Sequence, residues 1–170
     1  PLGGIPMGTR SGDLDPSVVT YLMKKEGLDA EEIEEVLNRE SGVYGISMVS
    51  VDFRDIEAEA LAGGKHAKLA LDAYHYSIAG YIAKCAVAMG GIDVLTFTAG
   101  VGENSITMRK MIIERIHSLG VATNDELNNV RGEFKKISTD ESRIALYVVP
   151  TNEELMIATD TYNIIVGGNH

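Results

Sequence analysis

The segment PMGTRSGDLDP at 6–16 contains an arginine in a setting suited to binding an anion. Arg10 lies between two glycines, with Asp13 and Asp15 close behind it. A guanidinium in such a loop is a candidate clamp, because its planar N–H groups bind a phosphate or carboxylate through two hydrogen bonds. The alternative is a surface ion pair between Arg10 and Asp13, a kind of pair that contributes little to stability.

A second candidate is TAGVGENS at 98–105, which follows an apolar run and precedes a helical pattern. Its glycines at 100 and 102 predict a loop with positive φ that lets the backbone approach a ligand closely. Asn104 or Ser105 is suited to cap the next helix, whose N–H groups favour an anion. The segment lacks the Gly-Lys-Ser/Thr of a Walker loop, and Ser105 stands where the dinucleotide fingerprint has its third glycine. A phosphate-binding loop and a simple turn both remain open.

Two acidic segments also leave two interpretations each. In PTNEEL at 150–155, Glu153 and Glu154 either complement a helix dipole or hold Mg²⁺ beside a phosphate site. In VDFRDI at 51–56, Arg54 between Asp52 and Asp55 favours an ion pair at a helix start over a ligand contact.

Alternating helices and strands are predicted to position these clusters. Asp15-Pro16 begins a helix that ends at Gly27, Asp29 caps a second one, and 66–89 is the longest periodic segment. Along that segment a single apolar stripe is expected, which includes Cys85 as a core residue. Two apolar runs, 92–98 and 144–149, predict strands, the first buried on both faces, and an amphipathic helix is expected after 150–154. Strand–loop–helix units of this kind predict an α/β fold with a parallel sheet, whose ligands lie at the carboxyl ends of the strands.

Composition excludes several classes of protein. A length of 170 residues suits one domain, and the net charge of −10 argues against a nucleic-acid surface. No stretch is long and apolar enough to cross a membrane, and no signal peptide is visible. The single cysteine excludes a disulfide framework and fits a reducing cytoplasm. The four histidines lack metal-like spacing, so we interpret them as surface or packing residues.

Taken in order, these segments resemble the acetate kinase family. The resemblance rests on PMGTRSGDLDP, SGVYGIS, DFRDI, FTAGVGENS, the Arg131–Gly132 pair, IST at 137–139 and VVPTNEELMIA. Each piece is weakly specific, but their combination covers nearly the whole chain. The resemblance implies a ribonuclease-H-like domain, with a mixed, largely parallel sheet flanked by helices. It also implies reversible, Mg²⁺- or Mn²⁺-dependent transfer of a phosphoryl group from ATP to acetate, giving acetyl phosphate and ADP.

The resemblance also implies a role for individual residues. Arg10 matches the arginine that stabilises the transition state, and Glu153 matches a glutamate associated with the metal ion. Pro1 matches a proline that lines the pocket for the acetate methyl group. Two segments match the nucleotide-binding positions of the family: Asp52, Phe53 and Arg54, and then Gly100, Val101, Gly102, Glu103 and Asn104.

Nothing in the chain matches the amino-terminal half of the family, and the chain opens on Pro1 without methionine. We therefore expect residues 1–170 to be the carboxy-terminal nucleotide-binding domain, with 1–15 near the interdomain crossing, and expect no turnover by this chain alone. We also expect a homodimer through this domain. Three alternatives stay open: a propionate or butyrate kinase of the same family, a non-catalytic nucleotide-binding or dimerisation module, and a chaperone-like ATPase.

Overall fold

The computed structural model describes residues 2–167, which form two compact units that divide between Gly90 and Gly91. The first unit is helical, and the second contains the sheet. The helices of the first unit are α1 (Pro16–Glu26), α2 (Ala30–Arg39), α3 (Gly42–Ser47), α4 (Phe53–Leu61) and α5 (Lys65–Ala88). The second unit contains β1 (Val94–Phe97), α6 (Ala99–Asn104), α7 (Ile106–Arg115), α8 (Asp125–Asn128), β2 (Lys135–Lys136), β3 (Ala145–Val148) and α9 (Glu153–Gly167).

Capping residues begin and end the first helices where the sequence predicts. The Asp15 side chain accepts from the Ser17 N–H, Pro16 occupies the first turn of α1, and Gly27 ends it with φ of 74°. Asp29 and Glu32 form a capping box at the start of α2. These two predicted helices are confirmed.

The core of the first unit lies between α3, α4 and α5. Its buried members are Val43, Ile56, Ala60, Ala67 and Ala70, and Phe53 and Tyr74 pack against them. The prediction that Cys85 belongs to the core is wrong, because this cysteine is exposed. The buried residue there is Ala86. Successive residues of a helix point about 100° apart, so Cys85 faces away from the buried line.

The sheet of the second unit has the order β1-β3-β2. Strands β1 and β3 are parallel and in register from Val94↔Ala145 to Phe97↔Val148, whereas the short β2 is antiparallel to β3. The unit is therefore α/β with a mixed sheet, as the resemblance implies, and not the wholly parallel sheet that the strand–loop–helix pattern predicts. Its core includes Phe97, Met108, Ile112, Ile113, Ile116, Ile137, Leu146 and Val148.

Two predictions about the second unit need correction. Strand β1 is not buried on both faces, since Val94 is 51% exposed and Thr96 is also exposed, while Phe97 is buried. As the edge strand of the described sheet, β1 is covered on the Phe97 side only. The predicted helix α9 is confirmed, but its residues 153–166 are all exposed. Its apolar side chains are distributed around the whole circumference of the helix, so it is not an amphipathic helix with one buried face. None of the helices among residues 2–167 is long and apolar enough to cross a membrane.

Candidate functional site

The carboxyl ends of β1 and β3 are joined by a single carboxylate. Because the two strands are parallel and in register, the segments that follow Phe97 and Val148 leave the same edge of the sheet. The Glu103 carboxylate, on α6, accepts from the Thr151 N–H at 2.8 Å and from the Thr151 hydroxyl at 3.0 Å. The predicted parallel pairing is confirmed for these two strands, and it brings their carboxyl ends to the same edge.

The Glu103 carboxylate is thus hydrogen-bonded to groups of the protein itself. The Thr151 N–H is the main cause that holds the pKa of the Glu103 carboxyl below its usual value, and donors at Ala99 and Thr98 act in the same direction. The observed role of this side chain is to tie α6 to the segment after β3.

The segment 99–104 is a short helix, not the predicted loop. The turn between β1 and α6 is made by Ala99, whose φ is 57°, whereas neither Gly100 nor Gly102 has positive φ. The prediction that the glycines supply the left-handed conformation is therefore wrong. An alanine in that region is strained by about 1–2 kcal/mol, so the surrounding structure has to hold it there.

The two glycines of α6 stand in different surroundings. A Cβ added to Gly102 would lie 3.1 Å from the carbonyl carbon of Phe97, so α6 packs closely against β1 at this point. A Cβ added to Gly100 would meet nothing within 4 Å. Packing therefore explains Gly102 but not Gly100, which lies on an exposed face with Thr98 and Ala99.

The carbonyl end of α6 is held by Arg109, which the sequence did not single out, and by the Arg131–Gly132 pair, for which the sequence indicated no role. The buried Arg109 donates to the carbonyls of Gly102 and Glu103, at 2.8 and 3.0 Å. Arg131 donates to the carbonyl of Asn104 at 2.9 Å, and the Gly132 N–H donates to that of Glu103 at 3.2 Å.

Within α6, the Asn104 side chain donates to the carbonyl of Gly100 at 3.0 Å, and Val101 is half-buried. Ser105 caps α7 by accepting from the Met108 N–H, as predicted. An arginine among the apolar residues of α7 was the signal that could have pointed to Arg109.

The segment after β3 leaves two carboxylates exposed at the start of α9, those of Glu153 and Glu154. Asn152 accepts from the Leu155 N–H at 3.0 Å and so caps this helix, while Thr151 is bound to Glu103. Glu153 is the first residue of α9 and is exposed. Residues 2–167 contain no cluster of three side chains suited to enclose a metal ion. A single carboxylate still fits Mg²⁺, which keeps several waters and commonly binds one or two carboxylates together with substrate phosphates.

Arg10 is held on a rigid loop of the first unit. The Met7 N–H donates to the Arg10 carbonyl at 3.0 Å, and Gly42 packs against this turn so closely that a Cβ would lie 2.2 Å from the Met7 carbonyl oxygen. The Arg10 side chain is exposed and makes no hydrogen bond or ion pair with any other residue between 2 and 167. It lines an open polar pocket with Glu31 and Glu34 of α2.

The alternative pair between Arg10 and Asp13 is absent. The Asp13 carboxylate instead accepts from the Tyr81 hydroxyl and from the Gly4 N–H.

The DFR segment begins α4. Asp52 caps this helix by accepting from the Arg54 N–H, and the Arg54 guanidinium donates from Nε to both carboxylate oxygens at 3.0 and 3.1 Å. These bonds with Arg54 lower the pKa of the Asp52 carboxyl from 3.8 to about 2. Phe53 is half-buried against Tyr74, with ring centroids 4.6 Å apart. The ion pair favoured from the sequence is therefore present.

The predicted site residues thus lie in both units. Arg10 and residues 52–54 belong to the first unit, whereas residues 100–104 and Glu153 belong to the second. The structure brings Glu103 to the PTNEE segment within the second unit. Pro1 lies outside the described residues.

Comparison with known proteins identifies the family. The model of the acetokinase family matches residues 1–159. The chain is 55% identical over 170 residues to the acetate kinase of Fervidobacterium nodosum, in an alignment that covers 99% of the chain and 42% of that protein. The crystal structure of Porphyromonas gingivalis acetate kinase superposes with a TM-score of 0.90 at 47% identity, covering 96% of this chain and 41% of that one. A propionate kinase from Francisella tularensis gives a TM-score of 0.85 at 37% identity, covering 92% and 40%.

The chain spans about two fifths of the length of these relatives, whose carboxy-terminal part it matches. The order of the motifs, the α/β fold and an alignment that spans nearly the whole chain agree with one another. The chain belongs to the acetokinase family.

Proposed function

We propose that the protein carrying this chain transfers the γ-phosphoryl group of ATP reversibly to acetate. An acetate oxygen attacks the γ-phosphorus, the bond from that phosphorus to the β–γ bridging oxygen breaks, and ADP leaves with the bridging oxygen. The observation that supports this most strongly is the identity of 55% to an acetate kinase over 99% of the chain. The joined strand ends support it independently, because the carboxyl edge of a parallel sheet is where α/β proteins bind nucleotides.

Arg10 is assigned to the transferring phosphoryl group. In phosphoryl transfer, negative charge spreads over the equatorial oxygens, and catalysis is mostly positioning and electrostatic stabilisation. The exposed Arg10 guanidinium carries no partner within residues 2–167, and its backbone is fixed by Gly42. It is therefore available to an anionic ligand without first breaking an ion pair.

The nucleotide is assigned to residues 52–54 and 100–104. Among these, the exposed Gly100 face offers backbone with no side chain above it, which suits close approach by a ligand. Glu103 and Asn104 contribute by holding α6 in place. Asp52 holds the Arg54 guanidinium in one orientation at the start of α4.

Glu153 is assigned to the divalent cation, Mg²⁺ or Mn²⁺, directly or through water. Its carboxylate is one of the two, with that of Glu154, that the PTNEEL segment leaves exposed and uncommitted, and the resemblance to the family selects Glu153. The ion, when bound, neutralises charge on the nucleotide phosphates. Pro1 is assigned to the pocket for the acetate methyl group.

A propionate kinase is the second candidate, since the propionate kinase from Francisella tularensis superposes on 92% of the chain. Measuring kcat/KM for acetate, propionate and butyrate, with the protein at its full genomic length, separates the two. The proposal predicts the highest value for acetate and the formation of acetyl phosphate. A higher value for propionate replaces it with the second candidate, and no acid-dependent ADP release with any of the three refutes both.

The 170-residue chain alone is proposed to bind adenine nucleotide without turnover. The chain matches about two fifths of the length of its relatives, so most of their residues have no counterpart in it. Acetyl phosphate formed by this chain from ATP, Mg²⁺ and acetate would contradict the proposal.

A homodimer through α5 is proposed as the assembly. Leu69, Tyr76 and Val87 are 57%, 74% and 82% exposed, and their spacing places them on one face of this helix. Such an exposed apolar stripe is typical of an interaction surface. Light scattering tests it: Val87→Asp shifts a dimer to monomer, whereas an unchanged mass would place the contact elsewhere.

A further inference from the structure

Arg109 is a cation in the core of the second unit. It is fully buried, on α7 between the buried Met108 and Ile112. Removing a guanidinium from water is costly unless its donors are satisfied. Burial, and secondarily the nearby Arg131, lowers the pKa of Arg109, so the environment does not favour the charge. A residue of this kind requires a structural reason, which its hydrogen bonds supply.

All five N–H donors of Arg109 are used, and four of them bind backbone carbonyls. One nitrogen donates to Gly102 and Glu103, at 2.8 and 3.0 Å. The other terminal nitrogen donates to the carbonyls of Asn128 and Val130, at 2.8 and 2.7 Å, and Nε donates to the Asn128 side chain at 2.9 Å. No carboxylate takes part in these five bonds, so Arg109 is held by carbonyl dipoles.

The carbonyls belong to two separate segments that meet at this side chain. Those of residues 102 and 103 form the last turn of α6, and those of 128 and 130 form the turn after α8. The Asn128 side chain extends the connection by donating to the Ile106 carbonyl at 2.9 Å. A guanidinium fixes both segments at once because its five donors lie in one rigid plane, a geometry that lysine cannot reproduce.

We propose that Arg109 is a positioning residue for nucleotide binding, which acts by fixing the carbonyl end of α6. It touches no ligand. It holds the helix whose exposed Gly100 face is assigned to the nucleotide and whose Glu103 is tied to Thr151. The inference rests on the proposed function, since it names a residue that prepares that same nucleotide site.

The test is Arg109→Lys in the protein at its full genomic length, with steady-state kinetics in both substrates. The expected result is a KM for ATP raised at least tenfold and a KM for acetate changed less than twofold. Lys110→Met is the matched control, because Lys110 is the next residue on α7 but pairs with Asp125 at 2.8 Å on the surface. Its KM values are expected to stay within twofold of wild type.

A merely structural role gives a different result. If Arg109→Lys lowers the active fraction while both KM values stay at wild type, the inference is overturned. If Arg109→Lys does not fold, Asn128→Ala decides, since it removes one of the five acceptors. A threefold or greater rise in the KM for ATP alone then supports the inference, and unchanged KM values overturn it.

Calorimetry of ATP binding to wild type separates this inference from the proposed function. Wild-type protein that binds no ATP refutes the proposed function and the inference together. Wild-type protein that binds ATP and phosphorylates acetate, with Arg109→Lys equal to it in both KM values, refutes the inference alone.

Discussion

Replacing Gly100 and Gly102 separately by alanine distinguishes a glycine kept for ligand binding from one kept for packing. Both lie in α6 with φ outside the positive region, so either substitution gains about 0.8–1.0 kcal/mol of intrinsic helix propensity. At Gly100 the new methyl meets nothing within 4 Å. Gly100→Ala is therefore expected to stabilise the fold by about 0.5–1 kcal/mol, the lower bound reflecting the shortness of the helix.

At Gly102 the same gain is opposed by a contact that cannot easily relax. The methyl carbon would lie 3.1 Å from the Phe97 carbonyl carbon, and Phe97 belongs to a strand paired along its length with β3. Overpacking of this kind costs about 1–3 kcal/mol, which exceeds the gain in propensity. Gly102→Ala is expected to destabilise the protein by up to about 2 kcal/mol.

The assay combines urea denaturation, followed by circular dichroism, with calorimetric titration of Mg²⁺-ADP. Because the Gly100 face is assigned to the nucleotide, Gly100→Ala is expected to weaken nucleotide affinity about tenfold, or about 1.4 kcal/mol, although it stabilises the fold. Opposite signs for stability and affinity are the diagnostic result. Increased stability with unchanged affinity would remove Gly100 from the nucleotide site, and a Gly102→Ala protein more stable than wild type would refute the packing argument.

Three further predictions concern the first unit. Arg10→Ala is expected to lower kcat by about 10³ with a much smaller change in ATP affinity, because the charge that Arg10 is proposed to stabilise develops only during transfer. Steady-state kinetics and calorimetry check this. Gly42→Ala is expected to destabilise the protein by about 2–4 kcal/mol in urea denaturation, since its Cβ would lie 2.2 Å from the Met7 carbonyl oxygen and φ is 61°. Asp52→Asn is expected to lower Tm at neutral pH, with the difference from wild type vanishing as pH falls from about 4 to 2.

The direction of the pH dependence follows from the lowered pKa of Asp52. Its folded pKa of about 2 lies below the ordinary 3.8, so the ionised carboxylate stabilises the fold above about pH 4 and loses that effect on protonation. Asparagine keeps an acceptor for capping α4 but removes the charge, which makes it a matched variant. The prediction for Asp52→Asn is contradicted by a Tm difference from wild type that does not depend on pH. Equal effects of Arg10→Ala on kcat and on ATP affinity would contradict the prediction for Arg10. A Gly42→Ala protein as stable as wild type would contradict the prediction for Gly42.

Local chemistry accounts for what the sequence predicted well. Asp15 with Pro16 and Asp29 with Glu32 are capping signals that act within a few residues, so α1 and α2 could be located without tertiary information. The parallel pairing of β1 with β3, and hence the meeting of their carboxyl ends, follows from the alternation of strands and helices.

Long-range packing accounts for what the sequence did not predict. The glycines of TAGVGEN predicted a loop. In the structure, Gly102 is explained by close packing against Phe97, and the turn is made by Ala99 with a positive φ. Cys85 fits the apolar periodicity of α5, but its neighbour Ala86 is buried instead. The helices that pack against α5 decide which of its faces is buried, and the sequence of α5 alone does not contain that information. Arg109 belongs to no recognisable motif, because four of its five partners are backbone carbonyls, which any sequence supplies, and two of these are about twenty residues away.

The central claim, that the joined ends of β1 and β3 bind nucleotide, is tested most directly by hydrogen exchange of backbone amides with and without Mg²⁺-ADP, in the protein at its full genomic length. The account predicts slower exchange on binding in peptides that cover residues 98–105 and 150–154, with no change in α2. Nucleotide binding detected by calorimetry, with exchange unaltered in both of those peptides, would contradict it.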